Sequence, residues 1–179
     1  KQFERGLSGA GSRVRLFSRE TAIMAAKVSA AMSAGLAAVA GLTTSTIGAA
    51  HEIDRLSQVA NASPETFQRW GAGASMVGIE QEKLADILKD VNDRVGDFLS
   101  TGGGPMKDFF ENIAPKVGVT ADQFRRLSGP EALQLYVDSL QKAGASQQQM
   151  TFYLEAMASD ATLLLPLLRD GGAEMERLG

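Results

Sequence analysis

His51 is the single histidine of the 179-residue chain, and Glu52 and Asp54 follow it closely. One imidazole without a second, and without any cysteine, gives no His/Cys cluster for a metal and no Cys-His nucleophile pair. On a mainly polar helix it reads as a solvated side chain. The carboxylate pairs Glu80/Glu82, Asp86/Asp90 and Asp108/Glu111 are spaced for acid–base work, but they alternate with lysines at helical spacing. That pattern describes solvated helix faces. Gly102-Gly103-Gly104-Pro105 lacks the Lys-Ser/Thr of a phosphate-binding loop and follows a helical pattern, not a strand. Arg125-Arg126 flank the apolar anchors Phe124 and Leu127 as rim charge. No catalytic, cofactor-binding or metal site is expected, and the chain reads as a non-enzyme.

The elements that would carry any site are helical throughout. No segment alternates apolar and polar residues over a strand length, and β-branched residues do not cluster. Hydrophobic content is 44%, but aromatics are only 6%, so helices meeting through small side chains are favoured over a thick aromatic core. Net charge is −3, which attracts no nucleic acid strongly. Its distribution is uneven. Residues 1–27 hold six bases and two acids, whereas 61–179 hold 11 bases and 17 acids. The chain opens on Lys1, as expected of a piece cut from something longer. A signal peptide is disfavoured because the basic stretch is too long and the apolar one is Ala-rich.

Val28 to Ala50 runs for 23 residues without a charge. Its two Val, two Leu and one Ile favour membrane insertion by about 2–3 kcal/mol together, against three Gly, three Ser and three Thr. As a lone span this is marginal, whereas small residues let helix backbones approach closely. From Ser12 to Ala60 there is no proline, and a heptad frame fits. Val14, Val28, Gly35, Leu42, Ala49 and Leu56 share one position; Met32, Val39 and Ile53 share the other. These nine residues form the expected self-association face. One unbroken helix over 12–60 would be about 73 Å long at ~1.5 Å per residue. A compact chain of this length is only ~40 Å across. The first third therefore bends back or stands out as a rod.

After Ala60 the pattern changes to short, punctuated helices. Ser63-Pro64-Glu65, Thr120-Ala121-Asp122-Gln123, Ser128-Gly129-Pro130-Glu131 and Ser146-Gln147-Gln148-Gln149 are helix starts. Leu84, Ile87, Leu88, Val91, Val95, Phe98 and Leu99 make one apolar face over 80–100. Residues 101–105 read as a linker. Phe67, Trp70, Phe109, Phe110, Phe124 and Tyr136 are the expected packing anchors. The organisation predicted is all-α: a long N-terminal helical segment over 1–60, self-associating or membrane-active, then a multi-helix region over 61–179 as a bundle or an extended array.

Four stretches in order carry a resemblance: HEIDRLSQVANASPETFQRW (51–70), GIEQEKLADILKDVNDRVGDF (78–98), GVTADQFRRLSGPEALQLYVDSL (118–140) and MASDATLLLPLLRDGGAEMERL (157–178). Together they resemble the phage tail tape-measure protein family, over about 130 residues. Met157-Ala158-Ser159-Asp160 departs from that family's usual Phe-Gly step. The resemblance implies a structural segment of a long helical protein in the lumen or tip of a tail tube. Such a protein sets tail length and assists DNA passage into the host. It also implies partners: other copies of the chain in a low-order oligomer such as a trimer, tail-tube and tail-tip or baseplate proteins, and the host envelope during infection. Contact with DNA would be indirect or transient. The other reading, from a different class, is a membrane-inserting translocator or pore former that uses residues 22–50.

Overall fold

The computed structural model describes residues 48–178, and every regular element among them is helical. Helix α1 is described over 48–59. It is followed by α2 (Pro64–Met76), α3 (Gln81–Thr101), α4 (Lys107–Asn112), α5 (Ala114–Val117) and α6 (Ala121–Phe124). Then come α7 (Gly129–Lys142), α8 (Gln147–Met157), a 3-10 turn (Ala161–Leu164), α9 (Leu165–Leu168), a second 3-10 turn (Arg169–Gly172) and α10 (Ala173–Leu178).

Polar side chains fix where these helices begin. Thr66 N–H donates to the Ser63 hydroxyl at 3.2 Å, with Pro64 in the first turn of α2. At α7 the Glu131 amide donates to Ser128 Oγ at 3.4 Å, and Ser128 N–H donates to the Glu131 carboxylate at 2.9 Å. At α8 Ser146 and Gln149 repeat that exchange, at 3.3 and 2.9 Å. Thr120 N–H donates to the Gln123 side chain at 3.0 Å to open α6.

The long helix α3 lays Leu84, Ile87, Leu88, Val91 and Val95 into the core, with Phe98 and Leu99 half-buried at its end. It packs on α7, which contributes Leu133, Tyr136, Val137 and Leu140. Each leucine or valine taken fully from water contributes roughly 1.5–3 kcal/mol relative to exposure. Aromatic rings close the side beneath the α3–α4 turn. Phe98 stacks on Phe110 with ring centres 4.2 Å apart, and Phe109 meets Tyr136 at 4.4 Å and Phe124 edge-on at 6.1 Å. Among the described residues, Phe98, Phe109, Phe110, Phe124 and Tyr136 are gathered in one place. The segment 101–105 is consequently a tight reversal inside the unit, since Phe98 before it and the buried Met106 and Phe109 after it share one core.

Residues 50–178 pack as one compact unit, and the last turns of α1 belong to it through Leu56, Ser57 and Ala60, all buried. The expected rod over 12–60 falls mostly outside the described residues, as does the uncharged stretch up to residue 47.

Candidate functional site

Three polar arrangements stand out against this apolar interior. The first is a cleft of about 220 Å³ between α2, the start of α7 and the turn leading into α10, lined by Arg69, Trp70, Glu131, Gln134, Gly172 and Met175 among others. It is smaller than pockets that take drug-sized ligands, which span roughly 300–1,000 Å³. Helix α7 points its N-terminus at this cleft, but its own Glu131 already occupies that end. The carboxylate accepts from Ser128 N–H at 2.9 Å and Ser128 Oγ at 2.7 Å. Those bonds to the charged form hold Glu131 below the usual carboxylate range. Gln134 is committed as well, donating to Asp138 at 2.8 Å and to the Leu168 carbonyl at 2.9 Å. Arg69 donates to Thr66 Oγ1 at 3.4 Å.

The second arrangement joins three helices. Asn92 on α3 donates to the Ala60 carbonyl at 3.2 Å and to the Leu88 carbonyl at 2.9 Å. Gly129 N–H, opening α7, donates to the Asn61 carbonyl at 3.1 Å. Asn61 takes a left-handed conformation (φ 50°), which asparagine tolerates better than most residues. Its side-chain amide donates to Asn92 Oδ1 and to the Leu127 carbonyl, both at 3.4 Å.

The third is a tyrosine relay. Tyr136 donates its hydroxyl to the Tyr153 backbone carbonyl at 3.0 Å, and the Tyr153 hydroxyl donates to the Asp108 carboxylate. Burial first, and then the neighbouring Asp108, push the Tyr153 hydroxyl up to about 12. Burial drives Tyr136 upward too. Both phenols thus stay protonated and serve as donors that tie α7 to α8 and α8 to α4.

The residues singled out in the sequence are distributed as follows. Phe67, Phe109, Phe124 and Tyr136 are buried, and Trp70 and Phe110 are half-buried. On the expected self-association face, Val14, Val28, Met32, Gly35, Val39 and Leu42 lie outside the described residues. Ala49 is exposed and Ile53 half-buried. Leu56, at 3% exposure, packs into the unit's own core. A heptad pattern registers an apolar stripe without telling whether the partner is the same chain or another. His51, Arg125 and Arg126 are exposed. The long-range contacts of Asn92, Gly129 and Gln134 had no sequence signal, because each meets a backbone far away along the chain. Among the described residues no group of three or more His, Cys, Asp or Glu is placed to hold a metal ion, and no helix is long and apolar enough to cross a membrane.

Compared with known proteins, the chain matches no family model, no curated protein and no solved structure.

Proposed function

We propose that the chain is a segment of a phage tail tape-measure protein, a structural element of the tail lumen or tip rather than a catalyst. The observation that carries this reading is the ordered set of four motif stretches between residues 51 and 179. It is supported by the work those stretches do in the fold. Leu56 and Ala60 are buried, Ser63 and Ser128 cap helices, and Leu164, Leu165, Leu167 and Leu168 are core residues. A pattern made of caps and core positions specifies an architecture. In this reading residues 12–60 continue α1 toward the N-terminus as a long small-residue helix. Copies of the chain meet along Val14, Val28, Met32, Gly35, Val39 and Leu42, inside a sheath of tail-tube proteins.

Deleting residues 61–179 in frame from the parent gene is expected to shorten the tail or block its assembly, as seen by electron microscopy. Particles with unchanged tails would overturn the reading. The translocator alternative rests on the uncharged stretch 28–50. Leakage of liposomes by a 22–50 peptide favours it, whereas indifference to lipid together with a discrete oligomer mass for the full chain favours the tail role. Gly35→Leu or Ala49→Leu should disturb that oligomer more than the helices of 61–179; light scattering showing no change in either variant opposes it.

A further inference from the structure

The turn before α10 brings that helix back across α2. Asp170 (φ 54°), Gly171 (φ 72°) and Gly172 (φ 79°) all lie in the left-handed region, which the two glycines enter without a side-chain penalty. Helix α10 then packs on α2. Its Met175 is buried against Gly73, where a Cβ would stand 2.5 Å from the methionine sulfur. The cleft between α2, α7 and this turn is thus walled by packed elements. Buried Met175 and Pro130 and the half-buried Trp70 give it an apolar lining.

The charged groups around that lining are unequally engaged. Glu131 uses one carboxylate oxygen, Oε2, for both Ser128 bonds, and among the described residues nothing donates to the other. Glu176 also lines the cleft and is exposed. Among the described residues it joins no ion pair. Arg69, the cation among the lining residues, donates to Thr66 Oγ1 at 3.4 Å and pairs with neither carboxylate. Two acids against one base leave the cleft acidic, as is the stretch around it, where 61–179 holds 11 bases and 17 acids.

We infer that this cleft is a socket for a single arginine side chain of a partner protein, with the guanidinium on the Trp70 indole and its N–H groups donating to Glu131 and Glu176. A space of about 220 Å³ takes one long side chain, and the apolar lining suits its methylene stem. Guanidinium is favoured over ammonium because it stacks on an indole, forks onto carboxylates and is more weakly hydrated. The socket serves the chain in a tail or in any other assembly, so it does not rest on the tail assignment.

Trp70 is the only tryptophan, so one indole N–H resonance of the full 179-residue chain reports this cleft. The probe is N-acetyl-arginine amide, with the N-acetyl amides of lysine, citrulline and glutamate beside it. The arginine probe should shift the resonance saturably at millimolar concentration. Lysine should bind more weakly, whereas citrulline, which keeps the shape without the charge, and glutamate should leave the resonance in place. Glu131→Gln and Glu176→Gln should each raise the half-saturating concentration about two- to fivefold, and Arg69→Gln should lower it. Because Glu131 also caps α7, Glu176→Gln, on an exposed side chain, carries the test by itself. That pattern supports the proposal. A resonance that the arginine probe does not saturate overturns it. So does an equal shift with citrulline, lysine binding as tightly as arginine, or unchanged affinity in Glu176→Gln. A shift by the glutamate probe that Arg69→Gln abolishes makes the cleft an anion site and overturns it too.

Discussion

Gly129 lies so close to Ala60 that a Cβ on the glycine would stand 2.3 Å from the alanine's carbonyl oxygen. The first turn of α7 can reach the end of α1 only because that atom is missing, and the same space is bounded by Leu88 and Asn92 of α3. Three helices converge on one absent methyl group.

Gly129→Ala should therefore destabilise the unit by about 2–3 kcal/mol, because backbone and not a yielding side-chain tip opposes the new atom. A lower urea midpoint with unchanged slope would show this. A midpoint equal to that of the parent chain would mean that α1 can shift aside freely.

Asn92 supplies the donor that satisfies the Ala60 carbonyl. Asn92→Ala should cost about 1–2 kcal/mol, the usual penalty for leaving a half-buried carbonyl without its donor. Asn92→Asp should cost more than the alanine change at neutral pH, since a carboxylate would face two carbonyl oxygens. The gap between the two should close in acid as that carboxylate takes up a proton, which denaturation at several pH values would reveal.

The two tyrosines predict alkaline behaviour. In the folded chain Tyr153 titrates at about 12, above the usual 10 of an unfolded tyrosine, and Tyr136 is shifted the same way. The folded state holds its phenolic protons longer, so this contribution is complete below about pH 10 and is lost as pH climbs through the folded value. The urea midpoint should fall between about pH 10 and 12. That fall should be shallower in the Tyr136→Phe/Tyr153→Phe chain, which lacks both of the sequence's tyrosines.

Ser128→Ala removes the cap of α7 and should cost about 1 kcal/mol. Glu131 gives the opposite pH sign from the tyrosines. Its folded value lies below the ordinary 4.5, so its contribution is present above that value and is lost as pH falls through the folded one. Glu131→Gln, which keeps an acceptor for Ser128 but cannot titrate, should flatten that acid limb. An acid limb as steep as the parent's would assign it to other carboxylates.

Local signals were legible wherever one turn of chain contains both partners. Ser63, Thr120, Ser128 and Ser146 each bond within three residues, and the buried face of α3 repeats at helical spacing. What could not be read depends on distance along the chain. Ala60 and Gly129 meet across 68 intervening residues, and Gly73 shows its purpose only once Met175 arrives. Leu56 fitted a heptad and entered the core. The left-handed run at 170–172 was visible only as two glycines before a closing turn.

Helix α1 enters this unit at residue 50 and ends where Ala60 is wedged against Gly129 and bonded by Asn92. A pull applied at the start of that helix is met where Leu56, Ser57 and Ala60 are buried in the unit. Under tension from that side, α1 should hold until the α3–α7 pair yields with it in a single break.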